Sequence, residues 1–194
     1  MTLIRVNPES VRAYGGQAQS HFDQMHTSLG ILVNDVVAVR YFGPNAVAFK
    51  TECGRIAAEF ANHLHADISA MADAVRRSTS NIAASLGGAP IHLQVEARPI
   101  TPPLPASVDY VDVDTSALEA QIGAVAARLG ELRDALGANF RNLQATDWQG
   151  NAKLAAVDAV GGFTASARQR CDQTEQSLTT FIRRQIDSVV TADR

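Results

Sequence analysis

The sequence predicts an all-α protein in which two antiparallel helical hairpins stand in tandem and pack as an intramolecular four-helix bundle. Composition is the first of three observations behind this. Of 194 residues, 46% are hydrophobic but only 6% aromatic, and 32 are alanine. A core must therefore be built from small and aliphatic side chains at close spacing, which suits packed helices better than a sheet sandwich. Second, Pro90, Pro99, Pro102, Pro103 and Pro105 crowd one short stretch and split the chain into two arms of nearly equal length. Third, the arms are related. Sliding residues 1–87 against 108–194 without gaps, an offset of 107, makes 12 of 87 positions identical and aligns Gly16 with Gly123, Gly30 with Gly137, Gly43 with Gly150 and Gly54 with Gly161. Chance would align fewer than one glycine pair, so the chain reads as two diverged copies of one unit.

Residues 1–87 form the first hairpin, with its turn at 41–45. Residues 88–109 form an extended, polyproline-like connector, and residues 110–194 form the second hairpin, with its turn at 147–151. The first helix opens at Asn7-Pro8-Glu9, which supplies an N-cap, a proline suited to the first helical position and an acidic residue for the helix dipole. Near the matching place in the second arm, Ser116-Ala-Leu-Glu119 has the letters of a capping box. Helical spacing then puts Phe22, Met25, Leu29, Leu32 or Val33, and Val36 on one stripe, with Leu129, Leu132, Leu136, Phe140 and Leu143 as its counterpart. The run Ile31 to Val39 is rich in β-branched residues and competes as a strand, but it lies inside a long helical period and is read as helix.

Both runs end at matched breaks, Tyr41-Phe42-Gly43-Pro44-Asn45 and Asp147-Trp148-Gln149-Gly150-Asn151. Gly43 can take the positive φ of a tight turn and Pro44 pre-sets the next helix. Beyond the breaks, Phe49, Ile56, Phe60, Leu64, Met71, Val75 and Ile82 recur at helical spacing, as do Val160, Phe163, Leu178, Ile182 and Val189. Each arm is then a hairpin of helices about 50 and 60 Å long at 1.5 Å per residue. At about 3.1 Å per residue the connector can run back the roughly 50 Å that antiparallel packing demands, whereas parallel arms would need only a short loop. Antiparallel packing also brings Cys53 and Cys171 to within about 8 Å in height, against about 16 Å in parallel arms. Either a disulfide or two unpaired buried thiols fits that placement. Gly54, Gly161 and Gly162 nearby are expected to allow close approach of helices.

Several function classes are excluded. With 17 basic and 20 acidic residues the net charge is −3, which is no footprint for nucleic acid. No stretch approaches the roughly 18 to 20 apolar residues of a membrane span. The start, MTLIRVNPES, lacks the basic and apolar regions of a signal peptide, so any export is expected to use another route. Two cysteines are too few for a disulfide scaffold or a zinc module. No nucleophile elbow, phosphate-binding loop or dinucleotide fingerprint occurs, and His63-x-His65 points its rings to different helix faces, unlike a bundle metal site. Neither an enzyme, a metal nor another cofactor is expected.

An aromatic, one residue, then glycine at a helix-helix turn resembles a known family. Trp148-Gln149-Gly150 is similar to the WxG turn of the ESAT-6-like (Esx) hairpins exported by type VII secretion systems, and Tyr41-Phe42-Gly43 is a related variant. The resemblance covers both arms as a tandem fusion. Tyr41, Gly43, Trp148 and Gly150 are thus the candidate turn and recognition motif, the aromatics covering the apolar end of the hairpin while offering a polar atom to a helix end or a partner.

The resemblance further implies an export signal of the form Tyr-x-x-x-Asp/Glu, read by the secretion ATPase. Tyr110 and Asp114 fit its letters, but they precede the third helix rather than follow the second, where Asp114 equally suits an N-cap. The matched pairs Arg76-Arg77 and Arg183-Arg184 suit the helix dipole and are the candidate basic partner patch. What is implied is a non-enzymatic type VII secretion-associated protein, an exported effector or an interaction module, secreted or in the cell envelope. Its partners would be the secretion ATPase or another secretion component, another WxG-like protein, or a second copy of itself. The competing class is a cytosolic helical adaptor or chaperone that is not exported.

Overall fold

The computed structural model describes residues 3–86, 90–95 and 98–193; positions 88, 89, 96 and 97 of the expected connector lie outside them. Among the described residues four long helices dominate: α1 (Pro8–Ala38), α2 (Pro44–Leu86), α3 (Thr115–Ala145) and α4 (Asn151–Ala192). Four two-residue strands accompany them: β1 (Arg5–Val6), β2 (Tyr41–Phe42), β3 (Asp112–Val113) and β4 (Trp148–Gln149). The helices pack against one another as an all-α bundle. Every element of the second arm starts where the offset of 107 carries its counterpart from the first, β1 onto β3, α1 onto α3, β2 onto β4 and α2 onto α4.

Helix starts follow from local chemistry. The Asn7 Oδ1 accepts from the amides of Glu9 and Ser10 at 3.0 and 3.3 Å. One offset away, the Asp114 Oδ1 accepts from Ser116 and Ala117 at 2.9 and 3.2 Å. This corrects the expected cap at Ser116. Pairing of β3 with β2 holds residues 112 and 113 extended, so the helix begins directly after Asp114 and Ser116 falls inside its first turn.

The chain divides into two compact units, each built from parts of both arms: Met1–His26, Leu64–Arg98 and Arg133–Arg168 in one, Thr27–His63, Pro99–Leu132 and Gln169–Arg194 in the other. In the first unit, β1 pairs antiparallel with β4, setting Val6 opposite Trp148. Its core gathers Phe22 and Met25 from α1, Leu64, Ile68 and Met71 from α2, Leu136 and Leu143 from α3, and Val160 from α4, all buried. Polar residues interrupt it, Asn139 the most deeply buried of those described. Asn139 is fully buried, accepts from the Tyr14 hydroxyl at 3.4 Å and points its amide nitrogen at the Met71 sulfur at 3.8 Å. Burial pushes the Tyr14 phenol above its ordinary range, against the opposing pull of the Asn139 bond.

In the second unit, β2 pairs antiparallel with β3. The core holds Leu29, Leu32, Val33, Val36, Phe49, Phe60, Leu118, Leu129, Leu178 and Ile182, all buried. Phe49 of α2 stacks on Phe181 of α4 with ring centres 5.4 Å apart. Gln121 of α3 donates to the Val36 carbonyl of α1 at 2.9 Å. Cys53 and Cys171 are both buried thiols, not joined in a disulfide. In each unit the turn of one arm is met by the segment that leads into the other.

The connector is held by side-chain amides standing in for strand partners. In the first unit Gln19 of α1 exchanges two hydrogen bonds of 2.9 Å with the backbone of Gln94, while Ile91 and Leu93 are buried. A Cβ on Gly15 would sit 2.6 Å from Ile91, so only glycine lets the connector lie so close. In the second unit Asn62 of α2 does the same with Ile100, donating to its carbonyl at 3.2 Å and accepting from its amide at 2.9 Å. The expected close approaches are found at Gly54, against Pro102 and Val37, and at Gly161, against Phe140. Gly162 is different: a Cβ there would meet no atom within 4 Å, because that position faces away from the packed side.

Candidate functional site

The two turns share one construction. After Ala38 and Ala145 end their helices, the chain bends over two residues, takes two extended ones and then a glycine at φ +128° (Gly43) or +124° (Gly150). Such a φ is disfavoured for any side-chain-bearing L-residue, so both glycines are required by the backbone. The next residue, Pro44 or Asn151, begins the second helix.

At the first turn Tyr41 is 4% exposed. Its ring packs on Phe49 with centres 5.6 Å apart, and its hydroxyl accepts a 2.9 Å bond from Gln185 Nε2 of α4. Burial raises the phenol above its ordinary pKa. Phe42 carries the Lys50 ammonium 4.7 Å above its ring and lies 6.0 Å from the ring of Tyr110. Lys50 is largely buried, and that burial lowers its pKa. Beside Tyr41 a groove of about 570 Å³ runs past Val111, Val113, Gln185 and Val189.

At the second turn Trp148 is 1% exposed, so the indole is a core residue. The Asp147 backbone is held from both sides, its amide donating to Ser10 Oγ at 2.9 Å and its carbonyl accepting from the Asn7 amide at 2.9 Å. Lys153 closes the end of α3 by donating to the carbonyls of Gln144 and Thr146 at 2.8 and 2.6 Å, a favourable place for a cation.

Tyr110 and Asp114 lie in the lead into α3, in the second unit. Tyr110 is 57% exposed and its neighbour Val111 72%. The Asp114 carboxylate is turned inward on its own helix as the cap. The arginine pairs are exposed, but they fall in different units; Arg76 is ion-paired with Asp73.

Two features escape the sequence. Leu3 and Ile4, which the offset relates to Tyr110 and Val111, are also strongly exposed, at 73 and 62%. His26, His65 and His92 border a cavity of about 540 Å³ in the first unit, with the His26 and His65 rings 5.3 Å apart. Among the described residues no group of three or more His, Cys, Asp or Glu is placed to hold a metal ion, and no helix is long and apolar enough to cross a membrane.

In comparisons with known proteins, no family model matches the chain. No curated protein matches it, and neither does any solved structure.

Proposed function

We propose that the chain is a tandem WxG-like protein of a type VII secretion system, a non-enzymatic exported effector or interaction module presented to the secretion ATPase. The observation that carries this reading is the duplicated turn. An aromatic and a positive-φ glycine recur at the same place between two helices in both arms, the arrangement on which the resemblance to ESAT-6-like hairpins rests. The exposed Tyr110 and Val111 supply a surface for the ATPase, and exposed Arg77 in one unit and Arg183 and Arg184 in the other supply positive charge for separate contacts with a secretion component, another WxG-like protein or a second copy. The protein would then be found outside the cell or in its envelope.

A specific observation favours the second reading, a cytosolic helical adaptor. Both turn aromatics are buried, and Asp114 is engaged as a cap. Variants at the lead into α3 separate the two. Asparagine caps a helix as well as aspartate does, so Asp114→Asn removes the charge and keeps the fold, while Tyr110→Ala removes an exposed ring. If the export reading holds, Tyr110→Ala and Asp114→Asn each lower the amount of protein in culture filtrate by about tenfold with unchanged cellular levels, the effect of losing about 1.4 kcal/mol of recognition. Undiminished export of both variants removes these residues as the signal, and protein confined to the cytosol favours the adaptor.

A further inference from the structure

The arms meet through positions that the offset of 107 relates, so contacts between them come in related pairs. In the first unit Arg5 faces Asp147 at 3.5 Å. The offset carries Arg5 onto Asp112 and Arg40 onto Asp147, and in the second unit Arg40 faces Asp112 at 3.1 Å. The same two positions meet twice, with the charges exchanged. A second set also meets at related positions, though without exchanging charge: His21 contacts Asn142 at 3.4 Å in the first unit, and its related pair, Arg128 and Asp35, lies at 4.0 Å in the second.

Two buried polar contacts also cross between the arms. Tyr14 donates to Asn139. Their related positions are Gln121, which donates to the Val36 carbonyl, and Leu32, which is fully buried. Pairing the first arm with a copy of itself would bring Arg5 against Arg40 at two places and set the Tyr14 hydroxyl opposite Leu32 in place of an amide oxygen. Pairing the second arm with its copy would bring Asp112 against Asp147 at two places. Like charges directly opposite repel, and a buried hydroxyl without its partner is costly.

We propose that the face each arm turns to the other is a recognition surface that accepts the opposite arm and rejects a copy of its own. The chain therefore satisfies this surface in cis, and the occupant the surface accepts in trans is the opposite arm of a second copy. Each ion pair is exposed and weak alone; selectivity comes from reversing both at once, together with the Tyr14–Asn139 bond. An unrelated single hairpin would have to reproduce this pattern of charge to displace an arm.

Two full-length variants test this. Arg5→Asp with Arg40→Asp makes all four positions acidic, and Asp112→Arg with Asp147→Arg makes all four basic. Each variant then holds like charges in cis, while exchange of arms between them restores every opposite-charge contact. Refolded together from denaturant at low salt and high concentration, they are expected to form a one-to-one dimer, read by native mass spectrometry. Its yield should exceed the dimer formed by the variants kept apart by about threefold or more, and high salt should erase the excess. The chain carrying all four substitutions should return to the wild-type association state and denaturation midpoint. Should either variant fail to fold alone, recovery of helix on mixing reports the same pairing. A mixture with no more dimer or helix than its separate components, or a fourfold variant that stays impaired, overturns the proposal.

Discussion

Gly43 and Gly150 carry the same backbone duty in different surroundings, and alanine substitution separates strain from crowding. Both hold a positive φ that a Cβ disfavours. At Gly43 the added Cβ would also come within 3.2 Å of Val111, whereas at Gly150 the nearest atom is Ile4 at 3.6 Å. Each alanine is expected to cost about 1–3 kcal/mol in urea denaturation, with Gly43→Ala the more damaging. Wild-type stability in either variant would mean that the turn relaxes into another conformation.

Cys53 makes a separate statement about pH. Burial, with the Glu52 charge adding to it, pushes its thiol up to about 12. An acid held neutral in the fold contributes stability that is complete below the unfolded-state pKa and is lost as pH rises towards the folded one. Unfolding free energy should therefore fall as pH rises from about 9 towards 12, Cys53 accounting for about 2–3 kcal/mol of the loss by pH 11. Cys53→Ala should flatten that part of the profile. A profile unchanged by the substitution would show that the thiol does not govern it.

Among the elements, the helices and their turns are legible in the sequence because their signals are local. The helical spacing of Phe22, Met25 and Leu29, the Asn7-Pro8 start and the glycine after an aromatic each lie within a few residues of what they specify. The four short strands are not legible, since β1 and β4 pair across more than a hundred positions and two residues hold no alternating pattern. Asp114 was ambiguous for the same reason: the distant β2 decides where α3 begins. Asn139 carries no local signal of its burial, because its partner Tyr14 lies 125 positions away.

The connector is the clearest gain over the sequence. Proline content marked it as a spacer, but Gln19 and Asn62 bind it as a strand would be bound. Asn62→Ala removes two hydrogen bonds to Ile100 and is expected to cost about 1–2 kcal/mol. Limited proteolysis should then cut the connector around residues 98–105 faster than in the wild type. An unchanged digestion rate would show that Pro102, seated against Gly54, suffices to hold it.

At the scale of the whole molecule, two copies of a hairpin have become unlike partners. Their charges are exchanged at Arg5, Arg40, Asp112 and Asp147, and their buried polar groups are divided between Tyr14 on one arm and Asn139 on the other. The turn aromatics are buried, whereas Tyr110 and Val111 in the lead into α3, and Leu3 and Ile4 in the lead into α1, are exposed. In the proposed export function the turns therefore shape the hairpins, and the exposed Tyr110 is the part offered to the ATPase.

The most direct test of that reading is the fraction of the chain outside the cell, measured by immunoblot of culture filtrate against a cytosolic marker, with the secretion ATPase intact and disabled. The expected result is extracellular protein that disappears when the ATPase is disabled while the cellular pool persists. Protein that stays with the cytosolic marker in both strains, or that is exported equally without the ATPase, would contradict it.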